Sequence, residues 1–439
     1  MPQYLFDEFN PISQAEWIKK IEQDLKGKPI SVLESEPEPG LLIKAYHHRE
    51  SRSSESSNTI IRNRPNNDWS IREIFDSNDS NQKILDHLNN GINHVGIIWS
   101  NQNDFDRLTK DVLFEHIGSD IQFNSIDEAK AAKVTEHSIL VFDPISKFAK
   151  DPSFKVDFSD YLDFHRTFRN HKSIWISGHT YGNAGANTIQ ELAFTIAHLN
   201  EYLISLTEAG EPLDSILPKI TIELSVSENY LINIGKFRVI HNLFSLLLEG
   251  YEYKLDNSEL NILARTTDRY LALNDAHNNP LRQTTQAMSA VIGGCYALTI
   301  SNRKTGNKTI DNRFERLARN IQLILKEESY LNKVVDPAAG SYFIEQLCAQ
   351  LVEKSWALFL EIEDQGGLIK AINKGSIQTL IQTNREVLIN EMNAGKKTFL
   401  GVNKHPNGME DWKTPIKDTN ESGLSVFHLE NYLNQKGNE

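Results

Sequence analysis

The sequence is short of several things, and each shortage excludes a line of interpretation. Two cysteines, Cys295 and Cys348, are all that 439 residues contain. They make no C-x-x-C pair, so neither a zinc site nor a dithiol redox centre is indicated. Their apolar surroundings predict reduced core thiols. The 14 histidines include no H-E-x-x-H and no clustered ligand spacing, so no metal site is expected. No apolar run reaches the ~20 residues of a membrane helix. The opening MPQYLFDEFNPIS lacks the basic-then-apolar order of a signal peptide, so a cytoplasmic protein is expected. Basic residues are outnumbered 46 to 59, a formal net charge of −13. That balance argues against nonspecific binding to nucleic acid or anionic membranes.

What is present is a soluble, globular composition, 39% hydrophobic and 24% charged, with length enough for a large barrel plus attachments. Residues 12–27 place Trp17, Ile21 and Leu25 on one helical face, and Gly27 and Pro29 end it. The turn-rich EPEPG (36–40) and the polar HHRESRSSESSN (47–58) follow. Residues 1–60 therefore read as an arm outside the main domain. From there to about 395 the chain alternates. Strand-like runs are WSIREIF (69–75), HVGIIW (94–99), SILVFD (138–143), SIWISG (173–178), KITIELSV (219–226), LNILART (260–266), YALTIS (296–301) and KVVDP (333–337). Helical patterns separate most of them. Eight strands alternating with helices predict an α/β fold, a (β/α)8 TIM barrel over 61–395. Residues 396–439 read as an extended tail ending in a short helix, VFHLENYLNQ. The segment DPAAG (336–340) reads as the corner of the last barrel strand, with Asp336 capping the next helix. Asn278 and Asn279 read as an N-cap pair ahead of Arg282.

Several segments, in order between about residues 60 and 403, resemble the adenosylcobalamin-dependent acyl-CoA mutases, the methylmalonyl-CoA mutase family. They are ISGHTYGNAGANTIQELAFTIAHLNEYL (176–203), GKFRVIHNLF (235–244), NNPLRQTTQAMSAVIGG (278–294), RFERLARNIQLILKEESYLNKVVDP (313–337) and VVDPAAGSYFIEQL (334–347). The resemblance implies a barrel whose axis takes the tail of an acyl-CoA, through a channel lined by small and hydroxyl-bearing residues. It also implies radical chemistry supplied by adenosylcobalamin.

Against the family pattern the reactive positions are changed. Ile74 stands where the family has a substrate-packing Tyr, Gly182 where it has a substrate-binding Gln, and Ser227 where it has a catalytic His. No catalytic residue is therefore expected in this chain. Arg265 resembles an Arg that lies near the CoA phosphates, and it is the one candidate substrate contact, competing with a structural role at the rim. Arg72, Lys236, Arg238 and Arg282 match family positions and read as members of scaffold ion pairs. The family's cobalamin motif, D-x-H-x-x-G, has only a chance counterpart in DFHRTF, with Asp163, His165 and a Phe168 where Gly is needed. No cobalamin-binding domain is expected here, not even the degenerate one that small subunits often keep, and no cofactor on this chain.

A barrel with its scaffold kept and its reactive groups changed resembles the small, non-catalytic subunits of this family. That implies a heterodimer with a catalytic large subunit carrying adenosylcobalamin, which interconverts methylmalonyl-CoA and succinyl-CoA. The arm would wrap the partner. Two alternatives stay open: a catalytic barrel working with a separate cobalamin-binding chain, and a free-standing acyl-CoA-binding protein. Both need an open axial channel.

Overall fold

A computed structural model describes residues 11–48, 50, 64–132, 134–254, 260–406 and 423–433. Much of the expected arm (1–10, 49 and 51–60) and of the expected tail (407–422 and 434–439) lies outside these. Eight parallel strands form one sheet: β1 (Ser70–Phe75), β2 (His94–Ile98), β3 (Gly118–Gln122), β4 (Ile139–Val141), β5 (Ile174–Ser177), β6 (Ile220–Val226), β7 (Asn261–Thr266) and β8 (Ala297–Thr299). Neighbours in sequence are neighbours in space, and β8 returns to β1 with Ala297 opposite Ser70. Leu140 N donates to Lys172 O at 2.9 Å, which closes the ring between β4 and β5. The expected (β/α)8 barrel is the observed fold.

Alternation along each strand sets what faces where. In β6, Ile220, Ile222, Leu224 and Val226 join the large core under the helices, so Thr221, Glu223 and Ser225 face the barrel interior. A small inner cluster of Ile139, Val141, Trp175, Leu263 and Ala297 comes from β4, β5, β7 and β8. The long helices Thr188–Glu208, Tyr230–Gly250 and Tyr342–Asp364 pack side by side outside the sheet. Tyr230–Gly250 is long and apolar enough to cross a membrane, but 78% of its most apolar window is buried within the protein.

Two strands differ from expectation. Gly118–Gln122 is β3, although its sequence GSDIQ has no apolar alternation to announce it. KVVDP is not a strand; it lies in a loop outside the sheet, with Val334 59% exposed. The following helix has Ser341 at its N-cap with no side-chain cap, so Asp336 does not cap it. Asp336 instead pairs with Arg238 at 3.0 Å. Asn278 likewise makes no side-chain cap; the Asn279 Oδ1 accepts from Ala272 N at 3.0 Å and from Arg282 at 2.8 Å.

The helix Gln14–Asp24 opens on a Ser13–Glu16 capping box and buries none of its residues. After it, a ribbon of Ser35–Glu38 and Leu41–Ile43 lies on the barrel. Leu41 is fully buried there, and Glu38 accepts from Thr188 N at 2.8 Å. At the other end, residues 424–433 strap across the C-terminal face of the barrel. Leu424 N reaches Ala149 O (2.8 Å), Phe427 N reaches Asn183 O (2.9 Å) and Leu429 N reaches Arg269 O (3.1 Å). The short helix expected here is a single 3-10 turn, Leu429–Tyr432.

Candidate functional site

The C-terminal mouth of a TIM barrel is where the fold builds its sites, and here it holds a cavity of about 230 Å³. The floor of this cavity is charged. Arg72 on β1 is 3% exposed and points inward. Its Nε and Nη2 donate to the two carboxylate oxygens of Asp120 on β3, at 2.6 and 2.7 Å. Its Nη1 donates to Glu223 on β6 at 2.9 Å and to Thr299 on β8 at 3.1 Å. The guanidinium thus ties four strands together across the interior, with Trp175 on its flank. His94 on β2 adds a second contact to Asp120, at 2.8 Å. Gly96 makes the space: a Cβ there would lie 3.2 Å from Asp120 Oδ2 and 3.4 Å from Arg72 Nη2.

Burial alone would raise the pKa of Asp120, but the Arg72 charge and the His94 hydrogen bond outweigh it and hold the carboxyl well below its usual range. Glu223 is also lowered, against its own burial, chiefly by Arg72. Arg72 is raised, because its two carboxylates outweigh the burial. Arg72, Asp120 and Glu223 are therefore all ionised at neutral pH. The cluster's hydrogen bonds run across the barrel interior from β1 to β3, β6 and β8.

The expected site residues separate around this floor. Ile74, inward on β1, lines the cavity with Ile98 and makes its wall apolar. Gly182 does not reach the cavity. It packs against Ser225 and Glu191, where an added Cβ would lie 2.7 Å from Glu191 Oε2. Ser227 is buried beyond the end of β6 and donates to Asn233 Oδ1 at 3.2 Å. Arg265, inward on β7, does line the cavity. Among the described residues its one side-chain hydrogen bond runs from Nε to Ser301 Oγ at 3.2 Å, and it makes no ion pair.

Of the expected scaffold pairs, Lys236 binds Glu191 (2.8 Å) and Arg238 binds Asp336 and Glu345. Arg282 differs: it stacks on Phe399, 4.6 Å from the ring centre. Cys295 is buried, Cys348 is half-buried beside Arg238, and neither is in a disulfide.

The residues sequence reasoning missed are Asp120, Glu223 and His94. Glu223 had a signal, a lone carboxylate inside the alternating apolar run ITIELSV. Asp120 had none, because its strand was not read.

The described residues do not fit cobalamin at the DFHRTF segment. It lies in the helix Phe158–Thr167, where Asp163 pairs with Lys130 and His165 is 1% exposed beside Lys219. A corrin ring cannot reach an imidazole buried beneath its own helix.

Comparison with known proteins agrees with this architecture. The profile of the family described as methylmalonyl-CoA mutase matches residues 148–435. A methylmalonyl-CoA mutase small subunit of Porphyromonas gingivalis is 30% identical over 92% of this chain and 72% of its own length. The methylmalonyl-CoA mutase of Escherichia coli is 32% identical over 54% of this chain. The mitochondrial mutase of mouse is 33% identical over 60% of it. The matched regions cover only 34% and 36% of those two longer proteins.

Proposed function

The chain belongs to the methylmalonyl-CoA mutase family, and from that premise we propose that it is the non-catalytic small subunit of a two-chain mutase. Its partner is a large catalytic chain that holds the acyl-CoA and adenosylcobalamin. The pair interconverts methylmalonyl-CoA and succinyl-CoA in the cytoplasm, and this chain contributes assembly and stability. Adenosylcobalamin, bound to the partner, supplies the radical chemistry.

The observation that carries this reading is the Arg72 cluster. A tail threading the axis would have to displace a guanidinium held by Asp120 and Glu223 at 2.6–2.9 Å. Separating such a buried group from its partners strands two carboxylates in the interior, at about 3–5 kcal/mol. Ile74, Gly182 and Ser227 add no imidazole or carboxamide that a thioester carbonyl would need. The same cluster weighs against a catalytic barrel paired with a separate cobalamin chain, and against a free-standing acyl-CoA-binding protein.

The arm supports the heterodimer. The helix Gln14–Asp24 is capped and amphipathic yet buries no residue, and Ile12 and Trp17 are 65% and 38% exposed. Trp17 rests on Tyr46 and Ile21 and Leu25 are half-buried, so among the described residues the apolar face is only partly covered, which suits a partner's groove.

A tagged pull-down from the native host, with mass spectrometry of stoichiometric partners, tests the reading. A mutase chain with the D-x-H-x-x-G domain is the expected partner. A short stand-alone cobalamin-binding chain in its place would make this barrel the catalytic half.

A further inference from the structure

We propose that a second cavity, where the N-terminal ribbon, the barrel and the C-terminal tail meet, is a binding site for a small aryl carboxylate, with its ring among Tyr230, Tyr270 and Phe399 and its carboxylate on Arg282. The proposal goes beyond the small-subunit reading and depends on no partner.

The cavity has a volume of about 520 Å³ and shares no lining residue with the one at the barrel mouth. Ligand sites fall in the range of about 300–1,000 Å³. Distant pieces of the chain build it. Pro37 comes from the ribbon, Tyr230 and Arg282 from the first turns of two barrel helices, and Phe399 from the tail.

The walls are largely apolar and already in place. Tyr270 is 6% and Phe399 1% exposed, and their rings lie 5.2 Å apart. Buried Met392 joins them in an apolar cluster backed by Phe427 and Leu429. Walls held by such a cluster need no ordering when a ring enters. Aromatic walls favour an aryl group over an alkyl chain, because edge-to-face and offset contacts add to the buried area.

Arg282 supplies the polar end. It lies over Phe399, 4.6 Å from the ring centre. Its Nη1 donates to Asn279 Oδ1 at 2.8 Å and its Nη2 to Leu400 O at 2.5 Å, both neutral acceptors. Among the described residues it makes no ion pair. Burial lowers its pKa, and Asp275 and Glu430 oppose that from beyond salt-bridge range. Two of its five N–H groups are used, and a carboxylate fits the remainder of the planar fork.

The other charges narrow the class. Lys397 pairs with Glu391 at 2.9 Å and donates to Pro37 O at 2.9 Å. Glu228 lines the cavity and faces the Tyr270 hydroxyl. Its charge disfavours a dianion such as a phosphate monoester and leaves a monocarboxylate. The volume takes roughly seventeen water-sized groups, enough for a ring, a short linker and the carboxylate.

The test is titration of the full-length protein, isotope-labelled at its methionine methyl groups, with sodium phenylacetate at neutral pH. The chain has four methionines, and M392L assigns the Met392 signal. A saturable shift of that methyl is expected, since a bound ring would lie against it. Phenylacetamide, the same ring without the charge, should bind about tenfold more weakly. Sodium acetate should leave the signal in place. R282Q should bind phenylacetate no more tightly than the wild type binds the amide. The comparison of acid and amide uses the wild type alone, so it decides the matter even if R282Q does not fold. No saturable shift with phenylacetate, an amide that binds as tightly, or acetate shifting the signal as far would overturn the proposal.

Discussion

The guanidinium of Arg72, rooted on β1, reaches the carboxylate of Glu223 on β6 at 2.9 Å inside the barrel. The two residues come from strands three apart around the ring, so their pairing spans the interior where this family is expected to pass an acyl-CoA tail. One guanidinium serves both this carboxylate and that of Asp120. The three side chains therefore form one unit, and their substitutions will not be additive.

Removing Arg72 alone should be damaging. R72A leaves two buried carboxylates without their cation, and a loss of about 3–5 kcal/mol is expected. The triple variant R72M/D120L/E223L replaces the whole unit by apolar side chains and should recover most of that loss. Urea denaturation of both checks this. An R72A loss below about 1 kcal/mol would mean that the cluster is not buried as described.

The cluster also sets an acid limit. The folded carboxyl of Asp120 is depressed: burial opposes the shift, and Arg72 and His94 outweigh it. A depressed carboxyl stabilises fully above its unfolded pKa of about 3.9, and the gain is lost as pH falls from there toward the folded value. Wild-type stability should therefore drop below about pH 4. D120N should be less stable at pH 7, with a shallower acid slope, so that the two curves converge at low pH. Denaturation midpoints from pH 7 to 2.5 measure it.

Restoring the family's glutamine at Gly182 should not restore a binding contact. A Cβ there meets Ser225 and, at 2.7 Å, the Glu191 carboxylate that pairs with Lys236. G182Q should lower stability by about 1–3 kcal/mol through overpacking, with no gain in CoA binding. A melting curve and a CoA titration check both halves.

Most of the barrel was legible because its strands carry apolar residues on the helix-facing side. β3 was not: GSDIQ gives Ser119 and Ile121 to the helix layer and Gly118, Asp120 and Gln122 to the interior, a pattern that reads as a turn. KVVDP misled in the other direction. Its two valines suggest a buried strand, yet Val334 is 59% exposed. At the site, Ile74 and Arg265 were legible only through their family positions, on strands read correctly. The Arg72–Asp120–Glu223 unit was not, because its members are remote in sequence and only ring closure brings them together.

The arm should be dispensable for folding and needed for assembly. The helix Gln14–Asp24 has no fully buried residue, whereas the ribbon beginning at Ser35 is docked through Glu38 and Leu41. Deleting residues 1–34 should shift the melting temperature by less than about 2 °C. It should weaken association with the catalytic chain by about tenfold or more. Melting and analytical ultracentrifugation separate the two effects.

The most direct test of the account is reconstitution. This chain and the host's full-length mutase chain are purified separately and assayed with adenosylcobalamin for interconversion of methylmalonyl-CoA and succinyl-CoA, each alone and together. No turnover by this chain alone, and turnover by the pair that survives I74A and S227A in this chain, is the predicted result. Turnover by this chain with only a short cobalamin-binding protein added, abolished by those same substitutions, would contradict it.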